Sequence, residues 1–187
     1  MFKKTRLIIK LGIIAAVILY AKDWIYNSTA NKGIVVPLKD KSYEIGMVQK
    51  VVDGDTIEVK CENETRTIRL IGVDTPESVN PDTSKNTPEG KLASTFTKKQ
   101  LSLGTRIYMT KDVSNKDKYG RYLRYIWLDK PITSKKASKI SEKMYNALLV
   151  KKGYAYAKAF PPDVKYKKAF AELEKIAKKK KTGILWK

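Results

Sequence analysis

Hydrophobic and polar positions change period several times along this chain. Behind a positive start, MFKKTR, an apolar run LGIIAAVILYA covers residues 11–21. Residues 27–41 are polar and irregular, contain Pro37, and read as a linker. From residue 43 to 59, alternation with period two predicts two strands that meet at the Asp-Gly of VVDGDTIEV. TRTIRLIGV (65–73) alternates again and predicts a third strand; the Pro-, Ser- and Asn-rich DTPESVNPDTSKNTPEG is a long loop. In KLASTFTKKQL, Leu92, Phe96 and Leu101 recur at helical spacing and predict an amphipathic helix with those side chains inward. RIYMT and RYLRYIWL predict strands four and five, split by the polar KDVSNKDKYG; DKPITSKKASK reads as a solvated basic loop. A second helix is expected over about 140–152, with Met144 and Leu148 inward and Gly153 as its stop. After Pro161 and Pro162, Asp163 is placed as the cap of a third helix carrying Tyr166, Phe170, Leu173 and Ile176.

Five strands with a helix between the third and fourth, and helices at the C-terminus, fit an α+β, mainly β architecture: a five-stranded OB-fold barrel with three helices. An unspecified α+β sandwich is the other solution. The organisation reads as an N-terminal segment (1–26), a linker (27–42) and one folded domain (43–187), long enough for a real core.

The apolar run spans 11 residues, a length that suits a signal-peptide core better than a complete span. Leu7 to Ile9 extend it upstream, Lys10 can snorkel, and Trp24 and Tyr26 can mark an interface. Ser28-Thr29-Ala30 offers a small-residue cleavage site, but far from the run. An uncleaved transmembrane anchor in contact with membrane and a cleaved signal therefore both fit. Either puts the body outside the cytoplasm, anchored or secreted, because the positive flank stays inside.

Composition narrows the chemistry. Lys and Arg number 39 against 19 Asp and Glu, a formal net charge of +20, which favours a polyanion partner such as nucleic acid or an anionic membrane. Histidine is absent. That excludes His-based general acid–base pairs, His-containing triads and His-ligated zinc. A single cysteine, Cys61, excludes an intramolecular disulfide and a Cys-rich metal site. Catalysis is left to carboxylates, Arg, Lys, Tyr or a metal.

VVDGDTIEV alone is satisfied by a hairpin, with Gly54 supplying positive φ. IRLIGVDTPE adds Arg69 on a strand, Asp74 where that strand ends, and a loop opened by Thr75, Pro76 and Glu77. If strands two and three pair antiparallel, Asp55 and Asp74 share one barrel end. Two carboxylates, a backbone carbonyl and waters make a hard-cation site suited to Ca²⁺. As structural residues, Asp74 would simply end a strand and Arg69 would pair with a nearby Glu. DKYGRYLRYI sets Arg121 just after a tight turn at Gly120. A metal, two forked guanidinium groups and a spare carboxylate are what phosphodiester hydrolysis without histidine requires.

VVDGDTIEV, IRLIGVDTPE, DKYGRYLRYI and NALLVKKGYA, in this order and spacing, resemble the staphylococcal nuclease (thermonuclease) family over roughly residues 43–186. The resemblance implies an OB-fold, Ca²⁺-dependent phosphodiesterase that acts as a monomer on DNA and RNA, favouring single-stranded or unwound regions, and leaves 3′-phosphates. It implies Asp55 and Asp74 as metal carboxylates, the Thr75 carbonyl as a further ligand, and Asp53 near the metal without binding it. Glu77 falls on the group that orients and activates water, Arg69 and Arg121 on the phosphate clamps, and Lys118 and Tyr119 on contacts to a terminal phosphate. One stretch departs from the pattern. After Gly153-Tyr154-Ala155 the family carries tyrosines, one packing on the base; here YAKAFPP, one residue shorter, places Lys158 and Phe160 at those positions. Phe160 retains the stacking surface and loses the phenolic hydroxyl.

A non-catalytic nucleic-acid-binding OB module and a charge-driven surface domain are the competing classes. The first would be expected to lose a carboxylate or an arginine of the set, and none is lost. The second gives no reason for acidic residues to cluster within so basic a chain.

Overall fold

The computed structural model describes residues 42–187, so the expected N-terminal segment lies outside the described residues. Five strands close a barrel: β1 (Glu44–Asp53), β2 (Thr56–Cys61), β3 (Glu64–Leu70), β5 (Arg106–Thr110) and β6 (Tyr122–Trp127), in the order β1-β2-β3-β6-β5. β1, β2 and β3 form an antiparallel meander with Asp53 opposite Thr56 and Thr56 opposite Arg69. β3 runs parallel to β6, with Arg69 opposite Leu123, and β5 returns to β1. Two register irregularities in β1, at Val48/Lys50 and Val51/Asp53, bend that strand, as closing a small barrel demands. Val48, Ile57, Ile68, Leu70, Ile107 and Met109 are buried in the core. A short pair outside the barrel, β4 (Val73–Asp74) with β7 (Tyr156–Ala157), sets Asp74 opposite Tyr156.

The first expected helix is α1 (Pro88–Gln100), capped by Thr87, whose Oγ1 accepts from Gly90 N at 2.9 Å. Its buried face is only partly the expected one: Leu101, just past its end, is buried in the core, but Leu92 is not. Gly90, Ala93, Ser94 and Thr97 point inward, and Leu92 is 48% exposed. Small residues are needed because the helix lies directly on the β1–β2 turn: Thr97 Oγ1 donates to the Gly54 carbonyl at 2.7 Å and accepts from Tyr145 Oη at 2.8 Å. Phe96 is half-buried and stacks on Tyr154.

The second expected helix is two, α2 (Ala137–Lys143) and α3 (Tyr145–Lys151), so the domain has four helices rather than three. The break is Met144, extended at φ −94°, ψ 121°, where it bridges Trp127 on β6. Its apolar side chain stays buried, so the hydrophobic pattern runs straight through the break. The basic stretch expected as a loop ends in α2, with Ala137 buried. Asp163 does not cap α4 (Lys167–Lys179), which starts after Tyr166 with no side-chain cap. Instead its carboxylate accepts from Val113 N and Ser114 N at 3.0 and 2.8 Å, tying the loop before β6 to the C-terminal segment. Tyr166, Phe170 and Leu173 are buried as expected; Ile176 is only partly covered, at 39% exposed, while Ala177 is buried. No helix among the described residues is long and apolar enough to cross a membrane.

Candidate active site

Four carboxylates gather at one end of the barrel. Asp53 closes β1, and Asp55 stands in the turn to β2. Gly54 between them does not adopt positive φ, contrary to the hairpin expectation. It is needed for space: a Cβ there would lie 2.6 Å from Thr75 Oγ1. Asp53 is buried and accepts from Gly54 N (2.7 Å) and from the Ser78 hydroxyl (2.5 Å), so it holds the loop after β4. Asp55 is buried too. Its Oδ2 accepts from Thr75 N at 2.9 Å, and its Oδ1 from the Thr56 hydroxyl at 3.1 Å.

Arg69 sits between the two sequence-predicted metal carboxylates. Its Nη1 lies 2.9 Å from Asp55 Oδ2, and its Nη2 donates to Asp74 Oδ1 at 2.9 Å. Nη1 also donates to the Val73 and Leu70 carbonyls, at 3.0 and 3.2 Å, which fixes the fork against the strand end. The other oxygen of Asp74, Oδ2, accepts from Lys158 Nζ at 2.8 Å. Burial pushes the Asp55 carboxyl above its usual range, opposed by Arg69 and the Thr75 N–H and reinforced by Asp53 and Asp74. Glu77 is exposed, on the loop beyond. Desolvation first, then Asp53, Asp55 and Asp74, raise its carboxyl above the ordinary value. Its backbone is pinned by α1: the Glu77 carbonyl accepts from Thr87 N at 2.9 Å, and a Cβ on Gly90 would sit 1.9 Å from that oxygen.

The basic half lies on the turn before β6. Asp117 organises it, accepting from the backbone of Tyr119 (2.9 Å) and Arg121 (3.0 Å) and from Arg121 Nε (2.7 Å). Tyr119 is 72% exposed, with Lys118 Nζ 5.0 Å and the Arg121 guanidinium 5.4 Å from its ring centroid. Arg121 stands just before β6, two residues ahead of Leu123, the register partner of Arg69. Phe160 is 64% exposed, with Lys158 Nζ 5.7 Å from its ring centroid.

The structure thus brings Asp55, Arg69, Asp74, Thr75 and Glu77 together. Lys118, Tyr119 and Arg121 form their own cluster, and Phe160 lies beside Lys158. Three participants went unread in the sequence. Asp117 was legible, as the first residue of an Asx-type turn in DKYG. Ser78 and the Lys158–Asp74 pair carry no local signal, because only the loop path and the β4–β7 pairing create them.

The donor set suits a hard cation. All candidate ligands are oxygens, carboxylates crowd one another, and Thr75 Oγ1 is buried with no hydrogen-bond partner. No three Asp, Glu or Cys among the described residues form a ready-made metal cage. The protein would therefore supply few ligands, and water or substrate the rest.

Residues 67–187 match the family model described as staphylococcal nuclease homologue. The chain is 40% identical over 152 residues to a thermonuclease of Staphylococcus intermedius, covering 79% of this chain and 82% of that protein. It is 36% identical over 172 residues to a thermonuclease of Staphylococcus hyicus, covering 92% of each. A prophage-derived endonuclease of Bacillus subtilis is 30% identical over 137 residues, 73% of this chain and 42% of that protein. The family span begins within β3 and holds Arg69, Asp74, Glu77 and Arg121; the antiparallel pairing of β2 with β3 brings Asp55 to Arg69 from the preceding hairpin. With this barrel and these matches, the chain belongs to the staphylococcal nuclease family.

Proposed function

We propose that the chain is a Ca²⁺-dependent nuclease that hydrolyses phosphodiester bonds of DNA and RNA and leaves 3′-phosphates. The observation that carries this reading is the Arg69 fork held between Asp55 and Asp74 at 2.9 Å on each side, with the raised carboxyl of Glu77 nearby. Relatives named thermonuclease and endonuclease support it.

Asp55, Asp74 and the Thr75 carbonyl would hold the cation. When bound, it offsets negative charge accumulating on the phosphate under attack. Glu77 orients a water and takes its proton as the oxygen attacks phosphorus. The bond from phosphorus to the 5′ oxygen breaks, that oxygen takes a proton from solvent to leave as a 5′-hydroxyl, and the phosphate stays on the 3′ side. Arg69 and Arg121 grip the non-bridging oxygens; Arg121 reaches them by yielding its contact with Asp117. Lys118 and Tyr119 receive a terminal phosphate, and Phe160 offers a ring for base stacking, worth ~1–3 kcal/mol per base. Residues 43–187 form the catalytic unit and work as a monomer. Residues 1–26 direct it out of the cytoplasm, as a membrane anchor or a cleaved signal.

Product ends test this polarity. Cleavage of an oligonucleotide is expected to create 5′-hydroxyl ends that a polynucleotide kinase labels without prior phosphatase treatment. Products that label only after phosphatase treatment would mean the opposite bond is cut.

A further inference from the structure

Asp74 is capped by cations on both oxygens, and the two caps differ. Arg69, on Oδ1, is anchored: its side chain is 18% exposed and it also bonds two backbone carbonyls. Lys158, on Oδ2, is tethered only through its backbone and is 52% exposed. Its N–H donates to the Gly72 carbonyl at 2.9 Å, one step beyond the Val73–Ala157 pair. Asp74 pairs with Tyr156, so Lys158 is its diagonal neighbour on the same face, within reach of a long side chain. The exposed Phe160 ring lies 5.7 Å from its ammonium.

We propose that Lys158 is a built-in counter-cation of the site. Its ammonium occupies the Asp74 oxygen that Arg69 leaves open, a divalent cation must displace it, and Lys158 therefore sets how much Ca²⁺ the protein needs. This rests on the reading of Asp74 as a metal ligand. A half-exposed ion pair is weak, and a divalent cation outcompetes it, so Lys158 raises the threshold for binding without blocking it. Lys158 acts on the metal through Asp74 and is a positioning residue.

The test is calorimetric titration of the full chain with Ca²⁺, without nucleic acid. Lys158→Met keeps an unbranched side chain of nearly the same length and removes its charge. It is expected to tighten Ca²⁺ binding about three- to fivefold, the upper part of the range an ion pair of this exposure spans. Lys158→Arg retains the pair and is expected to stay within about twofold of wild type on the same scale. Lys167→Met is the control for charge alone. Lys167 lines the same shallow groove as Lys158 and Gly72, has no ion pair among the described residues, and its loss is likewise expected to leave affinity within about twofold. Unchanged affinity in Lys158→Met, or equal tightening in Lys167→Met, overturns the inference while leaving the metal site intact. A wild-type protein that takes up no Ca²⁺ overturns the metal reading and this inference with it.

Discussion

Asp55→Asn is expected to all but abolish cleavage and, at the same time, to make the protein more stable. Both effects come from one feature, a carboxylate placed where its charge is costly. Asp55 is buried, and its carboxyl is raised above the usual range despite the Arg69 fork and the Thr75 N–H. A raised folded value means that the folded state binds the proton more tightly than the unfolded chain does. Stability from this group is therefore present at acid pH and is lost as pH rises from the unfolded value near 3.8 through the raised one. Asn keeps the shape and still accepts from Thr75 N through its carbonyl. Arg69 keeps Asp74 and two backbone carbonyls. At neutral pH the variant should melt higher, by about 2–4 °C for each ~1 kcal/mol relieved in a domain of this size. Cleavage should fall by roughly a hundred- to a thousandfold, the scale of losing one preorganised electrostatic group. Scanning calorimetry at neutral pH and at pH 4 reads the first effect; the gap between variant and wild type should narrow in acid. A variant that is less stable than wild type at neutral pH, or one that cleaves within tenfold of it, would contradict this account of Asp55.

Glu77→Gln is expected to lower kcat by about 10²–10⁴, the range assigned to a positioned general base, with KM little changed. The pH dependence identifies the role. Desolvation, Asp53, Asp55 and Asp74 hold the Glu77 carboxyl above the ordinary 4.5. Only the ionised form accepts a proton, so wild-type kcat should fall as pH drops through that raised value. It should hold or rise toward alkaline pH, because the chain contains no histidine to impose a neutral optimum. The Gln variant should lose the acidic limb along with the rate. An identical limb in the variant would assign it to another carboxylate, Asp55 first among them.

Much of this site was legible before any coordinates, for a physical reason. Its groups sit at strand ends and turns, where Asp-Gly, Asp-Thr-Pro and Lys-Tyr-Gly-Arg punctuate strongly alternating segments. The alternation that predicts β1, β2, β3, β5 and β6 also fixes which residues emerge at the barrel end. Helices were less legible. On α1, Leu101 and in part Phe96 face the core as their hydrophobicity predicts, but Leu92 does not, because contact with the β1–β2 turn selects the smaller Ala93 and Thr97 for the face beneath. The α2–α3 break was hidden because Met144 leaves helical geometry to bridge Trp127 while staying apolar and buried. Asp163 looks like a cap because it precedes a helix, but the β5–β6 loop takes its carboxylate first. The Lys158–Asp74 pair joins residues 84 positions apart, and nothing local to either one announces the other.

The most direct test of the central claim is a single cleavage experiment. The full chain, solubilised in mild detergent, is incubated with supercoiled plasmid and with single-stranded DNA under Ca²⁺, under Mg²⁺ and under excess chelator. Asp55 and Asp74 offer few ligands on a turn and a strand end, which suits the flexible coordination of Ca²⁺ better than the strict octahedron of Mg²⁺. The account predicts rapid cleavage with Ca²⁺, little with Mg²⁺ and none with chelator. In the chelated sample the +20 chain should still retard DNA at low salt and release it as salt rises. A protein that retards DNA under every condition but never cuts it with Ca²⁺ would contradict the account and leave a nucleic-acid-binding barrel in its place.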